Sequence, residues 1–177
     1  MRKGFYELIG WQKKDGKLFS PIPAGNWNQE LPCQSLAAIG LYGLWTYYMH
    51  TNDKQTIADN YNGVKRYLDL YKLKTDGTLE YRAGGWPWGD WGTQVDIELI
   101  QSCWYQLALL SAKNMANLLG KSKDEKSFAK KQEAFKIAFN KNFWNGKEYR
   151  HTDYKGTTDD RAQAMAVLAG FADTKQY

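Results

Sequence analysis

Apolar and polar residues along the chain alternate between two kinds of helix-length segment. Two segments, and the start of a third, carry apolar side chains on almost every face: 33–51, 96–119 and the stretch that opens at Asp159-Asp160-Arg161. A helix that is apolar all round is buried on most sides. Three other segments have helical spacing with many polar positions: 1–14, 54–72 and 123–143. The pattern predicts an all-α protein with buried inner helices and amphipathic outer helices.

The loops between these segments repeat at a regular interval. Gly25-Asn26-Trp27 and Gly89-Asp90-Trp91 stand 64 residues apart, and Gly156 comes 67 residues after Gly89. A helical-hairpin repeat of this length predicts a stacked or ringed α/α array. Six such hairpins would close a ring with roughly 390 residues. We therefore expect residues 1–177 to be a single unit, an excised fragment that forms about half of an (α/α)6 toroid.

The long loops all precede the apolar helices, so they should meet at one end of the array. Aromatic and acidic side chains share this position: Trp27, Glu30, Trp88, Asp90, Trp91, Asp96, Asp159 and Asp160. Flat rings stack on the C–H faces of sugars, and carboxylates accept hydroxyl hydrogen bonds or act as acids and bases. The convergence favours a carbohydrate site. The alternative is that the tryptophans only plug the end of a helical core.

Residues 86–92, the Trp-rich loop, contain three tryptophans, two glycines and Pro87 around a single carboxylate, Asp90. Proline and glycine at this density exclude a helix or a buried strand. Asp90 is therefore the first candidate for sugar binding, followed by Glu30. Asp96 and Asp159 are also typical helix caps. Asp160 and Arg161 either pair to brace the loops or contact sugar.

The amino-acid composition limits which kinds of partner, such as nucleic acid, membrane or metal, the protein is expected to bind. The net charge is +5, but lysines alternate with acids in residues 121–141, which is typical of a solvated helix face rather than a nucleic-acid surface. No apolar run approaches the length of a membrane span. Neither a CxxC motif nor a histidine cluster is present, so we expect no structural zinc. We also expect no cofactor. Cys33 and Cys103 are expected to be buried thiols, with a disulfide left open. His50 is expected to pack in an inner helix and His151 to be exposed in a loop.

Five motifs occur in order along nearly the whole chain: Trp27-Asn28-Gln29-Glu30-Leu31-Pro32-Cys33-Gln34, Gly43-Leu44-Trp45-Thr46-Tyr47-Tyr48, Trp88-Gly89-Asp90-Trp91-Gly92, Trp104-Tyr105-Gln106-Leu107-Ala108-Leu109 and Asp159-Asp160-Arg161-Ala162-Gln163-Ala164. With them the chain resembles the catalytic domain of bacterial α-L-rhamnosidases, glycoside hydrolase family 78, in the branch found in Bacteroides-type polysaccharide degraders. The resemblance implies an (α/α)6 barrel, inverting hydrolysis and no metal.

The resemblance also implies which residues contact the sugar. Asp90 and Trp91 match a Gly-Asp-Trp motif, and Trp27 matches an aromatic loop before an inner helix. The full expected set for substrate binding is Trp27, Glu30, Trp88, Asp90, Trp91, Asp160 and Arg161. In the family, the proposed general acid lies upstream of this region and the general base downstream. The catalytic residues therefore stay unassigned, with Glu30 and Asp90 as the candidates inside the chain.

These observations favour part of an inverting glycoside hydrolase that removes terminal rhamnose from glycans or glycosides. We expect the fragment alone to be inactive, because half a ring leaves the site open to water and lacks the partner carboxylate. The expected partners are a carbohydrate substrate and the rest of its own barrel, and exposed inner-helix surface should promote self-association. Because relatives are exported, we expect a periplasmic or extracellular location. The alternatives are a non-catalytic or degenerate rhamnosidase-like sugar-binding protein and a helical-repeat scaffold.

Overall fold

A computed structural model describes residues 1–18, 29–87, 89 and 92–173 of the 177-residue chain. Within these ranges lie seven α-helices: α1 (Arg2–Gly10), α2 (Pro32–Ile39), α3 (Thr46–Thr51), α4 (Lys54–Leu68), α5 (Ile97–Leu118), α6 (Ser122–Phe143) and α7 (Asp160–Leu168). The described residues form no β-strand, and isolated antiparallel bridges join Leu73 to Leu79 and Trp144 to Tyr149. The prediction of an all-α protein is confirmed.

Helix α5 is the element on which most of the others pack. It contacts α2, α4, α6 and α7, while α1 packs against α4. Apolar side chains cover α5 on nearly every side, and residues such as Leu99, Cys103 and Met115 are completely buried. The apolar helices α2, α3, α5 and α7 therefore form the inner layer, and α1, α4 and α6 form the outer one. This confirms the predicted α/α hairpin array.

A chain of aromatic rings joins the helices into one core. The Tyr71 ring stacks on Tyr105, whose ring contacts Phe135 edge-on, each at a centroid distance of 5.3 Å. Phe139 on α6 and Phe171 after α7 stack face to face at 3.6 Å. These contacts run from the end of α4 to the segment beyond α7, so the hairpins share a single apolar core.

The first inner helix is not continuous, contrary to the prediction of one helix over 33–51. Helix α2 ends at Ile39, Gly40 is extended with φ −78° and ψ −170°, and a π-helical stretch, Leu41–Trp45, leads into α3. A Cβ on Gly40 would lie 2.6 Å from the Leu36 carbonyl oxygen. The glycine therefore allows the break, because any larger residue would collide with the preceding turn.

The helix ends follow the expected chemistry. Pro32 occupies the first turn of α2, and Gly120, at φ +68°, follows the end of α5. Asp53, Asp96 and Asp159 cap α4, α5 and α7 by accepting backbone N–H groups of the first turn. Hydrogen bonds from the Thr56 hydroxyl and its backbone N–H, and from Tyr47, lower the pKa of Asp53 to about 2.

Several residues lie differently from their predicted positions. The first helix ends at Gly10 rather than near residue 14. His50 is exposed, whereas His151 is only 3% exposed, the reverse of the prediction for both histidines. Sequence spacing did not show that residue 151 turns back under its loop. Both cysteines are buried free thiols, so the open question of a disulfide is answered.

Helix α7 also presents a different face to the core. The stretch that opens at Asp159 was expected to be buried on almost every face, with Ala164, Val167 and Leu168 in the core, but these three residues are exposed and α7 instead buries Ala162 and Ala166. These small residues allow α7 to approach α5 closely, which the larger side chains would prevent. Among the described helices, none is both long and apolar enough to cross a bilayer.

Candidate functional site

The loops before α2, α5 and α7 contact one another at the N-terminal end of the inner helices, as the repeat predicts. Of the expected sugar-binding residues, Glu30, Asp160 and Arg161 are described by the structure. Trp27, Trp88, Asp90 and Trp91 lie outside the described residues. The described side chains at this end are those that surround and hold these loops.

Glu30 is held by an arginine that the sequence analysis did not single out. The Arg82 Nε donates to Glu30 Oε1 and the Arg82 Nη2 to Glu30 Oε2, both at 2.7 Å. The hydroxyl of Tyr67 on α4 donates to Glu30 Oε1 at 3.0 Å. A paired planar fork of this kind fixes both groups in one orientation. The pair joins the loop before α2 to the loop before α5.

Arg82 is itself fixed at its backbone. The Arg82 N–H donates to Gln101 Oε1 at 2.7 Å, and the Gln101 Nε2 donates to the Arg82 carbonyl at 2.9 Å. The guanidinium lies 5.9 Å from the centre of the Tyr71 ring. The hydrogen bonds to Glu30 raise the pKa of Arg82 above its ordinary value. Arg82 therefore remains a cation in one defined position.

A cleft of about 410 Å³ opens beside this pair, which we call the Arg82 cleft. Its polar lining consists of Lys17, Glu30, Lys72, Glu80, Tyr81 and Arg82. Lys17 follows α1, and the other residues come from the loops before α2 and α5. A second cleft, of about 310 Å³, lies beside α7.

Two buried aspartates connect the starts of α5 and α7. Asp96 caps α5 and also accepts the His151 backbone N–H at 2.8 Å. The Asp96 backbone N–H in turn donates to Asp159 Oδ2 at 2.9 Å. Burial raises the pKa of Asp96, and the hydrogen bonds that it accepts from His151 and Leu99 oppose this shift. The carboxylates thus join successive loops, as well as capping their own helices.

Arg161 fastens the Trp-rich loop to this network. Its Nε donates to Asp159 Oδ1 at 2.8 Å, and the Asp159 side chain is only 1% exposed. Its two Nη groups donate to the carbonyls of Gly89 and Gln94, both at 2.7 Å. Arg161 therefore pairs with Asp159 rather than with Asp160, which is exposed. The contacts favour the loop-bracing alternative for Arg161.

His151 forms a further connection that the sequence analysis missed. Its Nδ1 accepts the Asp153 backbone N–H at 3.2 Å, and its Nε2 lies 3.1 Å from Glu98 Oε2 in the first turn of α5. Because Nδ1 accepts a hydrogen bond, the neutral tautomer has its N–H on Nε2. This N–H donates a hydrogen bond to Glu98. The centroid of the His151 ring lies 5.2 Å from the centroid of the Phe143 ring. His151 thus joins α5, the end of α6 and the loop before α7.

A repeated glutamine offered the one sequence signal for these missed contacts. Gln101 on α5 and Gln163 on α7 stand 62 residues apart. Gln163 binds the N–H and carbonyl of Tyr149 at 2.8 and 2.7 Å, just as Gln101 binds those of Arg82. Each glutamine therefore attaches the loop that precedes its own inner helix. The spacing of the glutamines is close to the repeat interval of 64–67 residues, but only the structure identifies Arg82 and Tyr149 as the attached residues.

The described carboxylates at this end act mainly as acceptors within the protein. Glu30 receives three hydrogen bonds, and Asp96 and Asp159 are bound by backbone groups and Arg161. A general acid must carry a proton that faces the leaving group, and a general base must reach a water molecule. This arrangement instead holds loops and presents a charged cleft. Among the described residues, no group of three or more His, Cys, Asp or Glu side chains is placed to hold a metal ion.

An α/α hairpin array with polar loops gathered at the N-terminal ends of its inner helices is typical of the class of α/α toroid domains, a fold that does not by itself fix function. Within that class, the chain belongs to the bacterial alpha-L-rhamnosidase 6 hairpin glycosidase domain family, whose model matches residues 1–177. This confirms the family resemblance inferred from the five motifs. Comparison with curated protein sequences finds no significant match.

Solved structures agree with this assignment. The chain is similar to the α-L-rhamnosidase from Dictyoglumus thermophilum, with a TM-score of 0.82 and 25% identity over 99% of this chain and 20% of that one. It is also similar to the GH78 family rhamnosidase of Bacillus sp. GL1, with a TM-score of 0.73 and 18% identity over 99% of this chain and 19% of that one. The second likeness shows the fold alone. The chain spans about a fifth of the length of either structure.

Proposed function

We propose that the full-length protein is a glycoside hydrolase that removes terminal α-L-rhamnose from a glycan or glycoside. The observation that carries this proposal is the family match along residues 1–177. The Dictyoglumus thermophilum structure, described as an α-L-rhamnosidase, supports it. The loops that meet at the inner-helix N-termini supply the aromatic and acidic residues that a sugar site needs.

In this proposal the chain binds the sugar and the rest of the barrel completes the catalytic machinery. Asp90, with Trp27, Trp88 and Trp91, contacts the rhamnose. Arg161 holds the Trp-rich loop at Gly89 and the segment just after it at Gln94, so it acts as a positioning residue. Hydrolysis with inversion needs two carboxyl groups about 6.5–9.5 Å apart. Glu30, Asp96 and Asp159 are engaged within the protein, which supports the expectation that at least one of that pair lies outside residues 1–177 and that the chain alone is inactive.

One observation favours a second candidate, a rhamnosidase-like protein that binds sugar without hydrolysing it. Every buried or half-buried carboxylate described at this end already accepts hydrogen bonds from the protein. A degenerate enzyme would keep such a loop framework and lose its acid or base. The two candidates differ in hydrolysis by the full-length protein but share sugar binding.

The test is hydrolysis of 4-nitrophenyl glycosides, α-L-rhamnoside included, by the full-length protein and by residues 1–177. We expect cleavage of the rhamnoside by the full-length protein only. Asp90→Asn should reduce its kcat/KM by at least about a hundredfold, equivalent to about 3 kcal/mol. Asp69→Asn is the matched control, because the Asp69 side chain is 66% exposed and its ion pair with Lys131 spans 4.0 Å. Wild-type turnover by Asp90→Asn would reject the role of Asp90.

Failure of the full-length protein to cleave any substrate, combined with a Trp-fluorescence response to rhamnose, would establish the binding protein instead. For an active enzyme, ¹H NMR of the first product anomer tests the proposed inversion.

We also propose that the protein belongs to the Bacteroides-type branch, acts on polysaccharide and works in the periplasm or outside the cell. Cell fractionation of the source organism tests this location.

A further inference from the structure

The Arg82 guanidinium lies in the cleft, is held rigidly and donates only some of its N–H groups to the described residues. Gln101 fixes the Arg82 backbone on both sides, Glu30 fixes the side chain, and the Tyr71 ring lies beneath it. A binding group that is ordered before the ligand arrives loses little entropy on binding. Arg82 is therefore pre-organised on the wall of the cleft.

Several donors of Arg82 remain for a ligand. A guanidinium has five N–H groups, and only one on Nε and one on Nη2 donate to Glu30. The Arg82 side chain is 22% exposed, while the Glu30 side chain is 11% exposed. Solvent and ligands therefore reach the arginine more readily than the carboxylate that pairs with it.

The residues that line the cleft carry three cations and two carboxylates, an excess of one positive charge. Glu30 is neutralised by Arg82, which leaves Lys17 and Lys72 facing the single carboxylate of Glu80. The Glu80 backbone N–H donates to the Lys72 carbonyl at 3.0 Å, so these two residues lie side by side on the rim. Lys17 makes an ion pair with Asp15 at 3.1 Å, although both side chains are about half exposed. Ion pairs at such exposure exchange readily for a ligand anion.

The cleft also has the size and surface that a sugar ring requires. Its volume of about 410 Å³ falls in the range of small-ligand sites and exceeds that of one pyranose ring. Tyr81 and Leu70 supply half-buried apolar surface between the charged groups. Hydroxyl groups would find donors in Arg82 and acceptors in Glu80.

We propose that the Arg82 cleft binds a carboxylate-bearing sugar unit, a uronate, of the same glycan whose rhamnose is removed. Arg82 and Lys72 bind the carboxylate, and Lys17 adds long-range attraction. The inference rests on the proposed function and deepens it, because it assigns an acidic glycan as the substrate class. The source of specificity is the match between an anionic ring and a pre-organised cation.

The experiment compares binding of galacturonate and glucuronate with that of galactose and glucose by the full-length protein, using isothermal titration calorimetry. We expect each uronate to bind at least about tenfold more tightly than its neutral parent at about 20 mM NaCl, and this preference to shrink at about 200 mM because salt screens exposed charges. The double variant Lys17→Gln/Lys72→Gln should reduce uronate affinity at least about fivefold. Both lysines are on the surface, so the variant should fold.

The charge-matched control is Lys130→Gln/Lys141→Gln on the exposed face of α6. It removes the same two charges and should leave uronate affinity unchanged. Equal binding of uronates and neutral sugars would overturn the proposal, as would an equal loss in the control, which would mean that only net charge matters. Rhamnoside hydrolysis is measured in parallel: cleavage without uronate preference rejects the cleft alone, and uronate preference without cleavage rejects the proposed activity alone.

Discussion

At the residue scale, two arginines hold loops in place at the N-termini of the inner helices. Arg82 pairs with Glu30 from the preceding repeat, and Arg161 pairs with Asp159 while holding the carbonyls of Gly89 and Gln94. The planar guanidinium suits this role because it donates in several fixed directions at once, which a lysine ammonium does not. Each arginine therefore orients a loop as well as neutralising a charge.

Arg161→Ala should destabilise the chain by about 2–3 kcal/mol, because it leaves the buried carboxylate of Asp159 without its cation. Arg161→Lys keeps the charge but cannot bind both loop carbonyls, so it should recover less than half of that loss. Urea unfolding followed by circular dichroism measures both. Arg2→Ala is the control: Arg2 is 62% exposed and should change stability by less than about 0.5 kcal/mol. A similarly small effect of Arg161→Ala would contradict the bracing role.

Individual site residues were only partly predictable from the sequence. The loop positions of Glu30 and Arg161 followed from the repeat, since each stands near the start of an apolar helix. Their partners did not follow, because Arg82 lies 52 residues from Glu30 and pairs with it only through folding. His151 shows the same limit: a histidine in a polar loop looks exposed, yet the loop folds back and buries it beside Glu98. Pairings across repeats depend on the packing of neighbouring loops.

At the element scale, hydrophobic periodicity predicted where helices lie better than where they bend. The ends of α5 and α6 agree with the predicted segments to within a residue or two. The segment 33–51 carries no charged or amide side chain between Leu36 and Trp45, so the polar pattern gave no sign of the break at Gly40. A Cβ on Gly40 would lie at an ordinary packing distance of 3.7 Å from the Ala108 amide nitrogen on α5 but only 2.6 Å from the Leu36 carbonyl oxygen, so the preceding turn is what requires glycine here.

Gly40→Ala tests the steric origin of this break. The new Cβ would collide with the Leu36 carbonyl at 2.6 Å, so we expect a loss of about 1–3 kcal/mol in the free energy of unfolding. Gly4→Ala on α1 is the matched control, because nothing lies within 4 Å of its Cβ. That change should be neutral or stabilise by up to about 1 kcal/mol, since alanine favours helix more than glycine does. If both variants unfold alike, glycine is not required for the break.

At the scale of the whole molecule, the hairpins depend on one another through their shared core. Helix α5 contacts four other helices, and the aromatic rings connect α4, α5, α6 and the segment after α7. Repeat arrays gain stability from the interfaces between neighbouring units rather than from single units. The described helices should therefore unfold together.

Phe171→Ala should cost about 3–5 kcal/mol, because it removes the ring that stacks on Phe139 and leaves a cavity. The far-UV circular dichroism and tryptophan fluorescence transitions should shift together in urea, as a single cooperative unit requires. Ile137→Ala is the comparison variant, since Ile137 is 61% exposed on α6 and should matter little. Separation of the two transitions would show that the last hairpin unfolds independently.

By itself, the sequence determined the all-α class, the hairpin repeat, the inner and outer helices and the family, because local periodicity and ordered motifs are properties of neighbouring residues. Tertiary structure alone decided that Arg82 holds Glu30, that Arg161 pairs with Asp159, that His151 is buried and that α7 buries its small residues. These outcomes depend on contacts between residues far apart in the chain. The Arg82 cleft belongs to the same group, because its walls come from three separate segments that meet only when the helices pack.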